Sequence, residues 1–315
     1  MEVTRKEMIM DTVFILSSRG YMVSDLDLAG LTAYDLIARK GGERYVIKVL
    51  YNIDTFRSEV AREMISISKA IDAGAVVIGR RSSVGELEQG VMYFRHDVPI
   101  LSLESFEDYV DGNKPVIFSG PGGYYMPIDG ERMRRLRESL GYSIGHVSSR
   151  AGISRRSVSL YEAGSAATVE VAEKIESLLN DGIGREIDIL QITRNSKSES
   201  STGDMADSFL REVFNLIQKA GYDIFPTRKT PYDAVACEDH GDVFTLGAIR
   251  MIRDEMARIR AIVKASIALE SEFLLVSDSE KSITNLPERI FTIRELETSC
   301  KNGDLRPLLE KNRQS

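Results

Sequence analysis

"LRESLGYSIGHVSSRAGISRRSVSLYEAG", residues 136–164, packs three short helical segments and their turns into one continuous stretch. Leu136 and Leu140, with Met133 just upstream, put apolar side chains on one face of a first helix that stops at Gly141. Ser143 has the hydroxyl needed to cap a second helix, in which Ile144, Val147 and Ala151 face inward. Gly152 then permits a tight turn. Ser154 caps a third helix, with Val158 and Tyr161 inward and Gly164 closing it. Thr168 is expected to cap a fourth, whose apolar stripe is Val171, Ile175 and Leu178–Leu179. Short helices with a glycine between the second and third predict a compact helix-turn-helix bundle over 129–192.

Charge is distributed unevenly around this stretch. The chain of 315 residues carries a net charge of −7. Residues 129–165 nonetheless hold Arg132, Arg134, Arg135, Arg137, Arg150, Arg155 and Arg156 against Asp129, Glu131, Glu138 and Glu162, or 7 − 4 = +3. Residues 166–190 hold Lys174 and Arg185 against six acids, or 2 − 6 = −4. A small basic face on an acidic body is the footprint of a single nucleic-acid-reading module.

The same stretch resembles the Cro/lambda-repressor class of helix-turn-helix domains. The resemblance rests on the Leu-Arg-Glu of the first helix, Ser143, the turn Ala151-Gly152-Ile153-Ser154 and the ending Tyr161-Glu162-x-Gly164. It implies double-stranded DNA as partner and a recognition helix over about 154–163. Ser143, His146, Ser154, Arg155, Arg156, Ser157 and Ser159 are the DNA-contacting candidates, and Glu162 is expected to tie the helix end to the bundle. Many members place glutamine after the first serine of helix two, where it helps grip a phosphate. Here Ile144 and Gly145 follow Ser143, so the resemblance carries no phosphate contact to that position. The lead-in "GGYY…IDGERMRRLRE" and the segment Ile187–Leu190 extend the likeness to a group of archaeal helix-turn-helix transcriptional regulators.

Either side of this module lies a faint repeat. "GYMVSDLDLAGLTAYDLIARKGGERYVIKVLY" (20–51) is similar to "GYDIFPTRKTPYDAVACEDHGDVFTLGAIR" (221–250), with Tyr34-Asp35 matching Tyr232-Asp233 at an offset of 198. The offset continues to "VVIG" (76–79) opposite "LLVS" (274–277). Each copy reads helix, strand, strand, turn, strand, long helix, strand, which predicts a mixed sheet with helices on its sides. Between the copies, 113–130 is rich in Gly and Pro and reads as turns with a short β-arm, and 193–204 reads as a flexible linker. The expected organisation is thus α/β plus all-α. Two degenerate restriction-endonuclease-like α/β domains, 1–112 and 205–315, flank a β-arm over 113–128 and a central four- or five-helix Cro-like bundle.

The endonuclease-like order raises the question of cutting. Enzymes of that fold hold Mg²⁺ with an Asp on one strand and an acid two residues before a Lys on the next. Asp35 and Lys48 match two places, and the third falls on Val46. In the second copy Asp233 remains, with Phe244 and Leu246 at the other two places by simple alignment. Glu7, Asp11 or Glu59 could supply a displaced acid. Alternatively, Asp35 is a plain hairpin residue and Lys48 an edge-strand lysine that discourages aggregation. "GPGGYY" lacks the ending of a phosphate loop, and no Cys/His cluster is present. The reading is therefore of a regulator without catalytic residues, metal or cofactor. It is expected to act as a homodimer in the cytoplasm, with no signal peptide and no membrane span, any small-molecule effector being undetermined.

Overall fold

The computed structural model describes residues 4–25, 33–196, 207–238, 243–250, 252–278, 289–301 and 305–313. In chain order the first part comprises α1 (Arg5–Ser18), β1 (Met22–Asp25), β2 (Leu36–Lys40), β3 (Glu43–Asn52), α2 (Ser58–Ala70) and β4 (Gly74–Arg81). There follow β5 (Val91–Arg95), β6 (Val98–Leu101), α3 (Leu103–Val110), β7 (Ile117–Gly120) and β8 (Gly123–Pro127). The helical module contains α4 (Gly130–Ser139), α5 (Ile144–Ala151), α6 (Arg155–Glu162), β9 (Ala166–Thr168), α7 (Val169–Leu179) and α8 (Ile189–Asn195). The last part is α9 (Ser208–Lys219), β10 (Asp223–Pro226), β11 (Ala234–Cys237), β12 (Val243–Ile249), α10 (Ile252–Leu269), β13 (Glu272–Ser277), β14 (Ile290–Thr292), α11 (Ile293–Lys301) and α12 (Arg306–Arg313). Among the described residues no helix is long and apolar enough to cross a membrane.

The chain forms two compact units. One contains residues 9–49, 56–76 and 190–315, and so gathers most of both repeat copies. In the first copy β1 pairs antiparallel with β2, and β2 with β3. In the second β10, β11 and β12 do the same, then β12 runs parallel to β13 and β13 to β14. The second copy closes over a core of Phe214, Ile217, Phe244, Leu246, Leu274 and Phe291. These strands are apolar on both faces, which is why their sequence shows runs rather than alternation.

The structure corrects the repeat alignment by one residue. Leu36 faces Ile47, whereas Ala234 faces Leu246. The hairpin is one residue longer in the second copy, and Lys48 and Val46 correspond to Gly247 and Thr245, not Leu246 and Phe244. The offset of 198 resumes after the long helix: Ala73 N–H donates to Ser68 O, and Ser271 N–H to Ser266 O. Within this unit the two copies meet at equivalent positions. The hydroxyls of Tyr34 and Tyr232, both fully buried, lie 3.0 Å apart. The expected linker start is also different, since residues 193–195 close α8. Thr193 Oγ1 accepts the Ala75 N–H at 2.9 Å, and Arg194 pairs with Asp72 through two bonds of 2.8 Å. The remainder, 197–204, lies outside the described residues.

The other unit contains residues 1–8, 50–55 and 77–189. Its strands are ordered β4-β6-β5-β7-β8-β9. The expected β-arm is the β7–β8 hairpin, with Phe118 opposite Tyr125, and β8 pairs in turn with β9, with Met126 opposite Ala167. The helices α4 to α7 pack around Met126, Ile128, Met133, Val147, Val158, Ala172 and Ile175. Two details depart from the sequence reading. Leu140 follows the last turn of α4 and is 40% exposed, so it is not part of the inward face. Thr168 stands at the start of α7 without a side-chain capping bond, its backbone being used in the β8–β9 pairing.

Candidate nucleic-acid interface

The turn between α5 and α6 is built as its residues require. Gly152 takes the left-handed conformation (φ 70°), which a residue with a Cβ adopts at a cost. Ser143 Oγ accepts the His146 N–H at 3.1 Å, and Ser154 Oγ accepts the Ser157 N–H at 3.0 Å, each satisfying an amide left open at a helix start. The Ser154 and Ser157 hydroxyls also lie 2.9 Å apart, and Ser159 Oγ donates to the Arg155 carbonyl at 3.2 Å. The candidate serines therefore order the two helix starts. His146 is exposed, its ring stacked on Tyr142 with centroids 4.4 Å apart.

Ion pairing sorts the arginines. Arg132 pairs with Asp181 (2.8 Å), Arg134 with Glu138 (3.1 Å), Arg135 with Glu131 (3.7 Å) and Arg137 with Glu162 (2.5 Å). Among the described residues no carboxylate pairs with Arg150, Arg155 or Arg156, all exposed, at the end of α5 and the start of α6. The excess positive charge of the segment is therefore concentrated beside the turn. Glu162 does tie the helix end to the bundle, as expected, but its partner Arg137 was not singled out from the sequence. The signal was available in the Leu-Arg-Glu of α4, since an arginine amid apolar helix positions needs a buried acceptor.

The Arg155 side chain crosses onto α5. A methyl group added to Gly145 would lie 3.1 Å from its Nη2 and 3.3 Å from its Nε. Six of the seven sequence candidates thus cluster on the starts of α5 and α6, with Ser159 one turn further along α6.

The endonuclease-like residues are placed differently. Asp35 and Lys48 do meet, at 3.1 Å, but the second Asp35 oxygen accepts the Val49 N–H at 2.8 Å. Lys48 is only 12% exposed, so it is an internal ion-pair partner and not a solvent-facing edge lysine. Val46 is fully buried and aliphatic. Glu7 accepts the Thr4 N–H at 2.6 Å at the start of α1, Asp11 is exposed on that helix, and Glu59 accepts from Ser58. Among the described residues no group of three or more His, Cys, Asp or Glu is placed to hold a metal ion. The donor set does not fit a divalent cation, which needs several oxygens converging on one point.

In the second copy Asp233 Oδ2 accepts the Ala248 N–H at 2.8 Å, repeating the Asp35–Val49 bond. With Gly247 in the lysine position, Arg258 of α10 supplies the cation at 2.6 Å. Both aspartates thus clamp the strand that follows their hairpin, and the cation has moved from strand to helix. Glu63, which sequence reasoning also missed, is buried on α2 and accepts the N–H groups of Arg228 (2.9 Å) and Lys229 (2.8 Å).

Residues 5–115 match the profile of a PD-(D/E)XK superfamily domain, and residues 133–180 match the helix-turn-helix profile. A protein of Picrophilus torridus is 39% identical over 98% of this chain and 97% of its own length. One from Thermoplasma volcanium is 38% identical over 95% of each chain, and one from Thermoplasma acidophilum 34% identical over 99% of each. All three carry the provisional name of HTH-type transcriptional regulatory protein.

Proposed function

This chain belongs to the family of archaeal HTH-type transcriptional regulatory proteins, and we propose that it is itself a DNA-binding regulator that reads duplex sequence through α6. The observation carrying this reading is the pair Arg155 and Arg156, exposed at the start of α6 with no carboxylate partner among the described residues, beside a rigidly capped turn. A helix of this kind enters the major groove with its first residues at the base edges, while the preceding helix crosses the backbone. Ser143 and Ser154 hold the two helix starts, and His146, Ser157 and Ser159 line the approach. One recognition helix reads few base pairs, so the regulator acts as a homodimer on a two-fold operator, in the cytoplasm where the DNA is. No cofactor is needed for this activity.

The test is selection of bound sequences from random duplexes by the full-length protein. A palindromic consensus is expected. Arg155→Ala with Arg156→Ala should lower affinity for that consensus by at least about 30-fold, each arginine contact being worth roughly 1–3 kcal/mol. Thermal unfolding should stay unchanged, because both side chains are exposed. Full affinity in the double variant would remove the recognition role from α6.

The PD-(D/E)XK match supports a second reading, a metal-dependent nuclease guided by the helix-turn-helix. Val46 and the engaged oxygens of Asp35 favour the non-catalytic one. Plasmid incubated with the protein and Mg²⁺ or Mn²⁺ should remain uncut. Cleavage abolished by Asp35→Ala would establish the nuclease.

A further inference from the structure

Arg155 and Arg156 are adjacent in sequence, both exposed and alike in charge, yet the fold treats them differently. The three guanidinium atoms Nη2, Nε and Cζ of Arg155 lie 3.1, 3.3 and 3.4 Å from the point where a Cβ on Gly145 would stand. The charged end of Arg155 therefore rests flat against the first turn of α5, and the missing side chain of Gly145 is its seat. Residue 145 is the second residue of the helix (Ile144–Ala151), in its first turn. Its φ is not in the left-handed region, so the backbone does not demand glycine there. What glycine provides at this place is room for Arg155.

The seat decides what the arginine can reach. Neighbouring residues of a helix point about 100° apart, so the exposed Arg156 leaves α6 in a different direction from Arg155. In a docked helix-turn-helix, α6 lies in the groove and α5 crosses the sugar–phosphate backbone. A guanidinium that starts on α6 and lies on α5 is directed at the backbone, and one that stays on α6 is directed at base edges. Phosphate contacts set position and register without carrying sequence information, whereas base-edge contacts specify. The position after Ser143 is Ile144, an aliphatic residue with no phosphate-gripping group, and Arg155 lying over the adjacent Gly145 makes good that loss from the other helix.

From this geometry we infer that Arg155, seated on Gly145, is the phosphate anchor of the interface, and that Arg156 is its specificity-determining residue. The inference rests on the DNA-binding reading above and divides labour within it.

The experiment measures binding of full-length protein to its selected consensus duplex and to an unrelated duplex of equal length, across a salt series. Arg155→Ala should weaken both complexes by the same factor, about 10-fold, and reduce the slope of log affinity against log salt by about 1. Arg155→Lys should restore most of the loss, because a phosphate accepts a point charge. Gly145→Leu, which fills the seat, should reproduce Arg155→Ala on both duplexes. Arg156→Ala should instead shrink the ratio of consensus to unrelated affinity by about 10-fold or more, and Arg156→Lys should not rescue it, since a guanine edge is matched by the planar fork. If Arg155→Ala lowers that ratio and leaves the binding of unrelated DNA and its salt slope intact, the assignment is overturned. Gly145→Leu with wild-type binding overturns the seat. A wild-type protein that enriches no sequence overturns the DNA-binding reading itself, and is distinguished by needing no variant to reveal it.

Discussion

Arg137 carries a full charge into the helical module with its side chain only 9% exposed. Its Nε and Nη2 donate to the two oxygens of Glu162, and Nη1 donates to the Tyr142 carbonyl at 2.9 Å, so one guanidinium joins α4, the α4–α5 loop and the end of α6. Bonding to Glu162 holds the guanidinium pKa above its ordinary range. A buried pair of this kind contributes little net stability beside a well-packed apolar replacement, yet breaking it by halves is expensive. Arg137→Ala should therefore cost about 3–5 kcal/mol in urea unfolding, because Glu162 is left buried without its partner. Arg137→Met combined with Glu162→Leu should recover most of that loss. If the single and double variants are equally destabilised, the pair is not what holds α6.

At the scale of elements, the position of α6 is set by a close approach of backbones. A Cβ on Gly130, the first residue of α4, would lie 2.3 Å from the carbonyl oxygen of Glu162 and 2.8 Å from the Gly164 nitrogen. Backbone atoms cannot swing aside as a side chain can, so α4 and the end of α6 must separate if anything larger is placed there. Gly130→Ala should destabilise the fold by about 3 kcal/mol and weaken consensus binding at temperatures where the protein is still folded, since α6 is displaced. Gly42→Ala in the first hairpin is the matching control. Nothing lies within 4 Å of its added methyl and its φ is not left-handed, so an effect within about 0.5 kcal/mol is expected. Equal melting temperatures for wild type and Gly130→Ala would show that the helices are not held this closely.

At the scale of the molecule, the repeat copies form an internal pair within one compact unit, joined by Tyr34 and Tyr232 and by the Glu63 carboxylate on the amides of 228 and 229. Burial raises the Glu63 pKa, although the two amides and the nearby Lys229 and Arg228 oppose that. The folded chain thus keeps this proton to higher pH than the unfolded chain does. The stability it contributes is present at low pH and declines as pH rises from the ordinary carboxylate value through the raised one. Urea unfolding of wild type and Glu63→Gln across that window should show wild type losing ground to the variant as pH increases. A pH-independent difference would mean that Glu63 ionises as freely in the folded chain as in the unfolded one.

Much of the helical module was legible from residues 136–164 because its signals are local. A cap, a left-handed glycine and an apolar spacing of three or four depend only on near neighbours, and Ser143, Gly152, Ser154 and Val158 all do in the fold what their spacing implies. The order of elements in the repeat was legible for the same reason. Leu140 misleads because the apolar spacing runs one residue beyond Ser139, the last residue of α4, into the exposed C-cap. The remaining features depend on groups distant in sequence being brought together by packing. Residue 137 meets 162, and 34 meets 232. The one-residue slip that puts Gly247 opposite the role of Lys48 is visible only in strand register, since loop length is free to vary while side-chain direction along a strand is not. Sequence alone therefore determined that the chain carries a helix-turn-helix between two related α/β copies. The tertiary structure decided which arginines are spent on internal ion pairs and which face outward, because pairing is a matter of distance and burial that spacing along the chain does not encode.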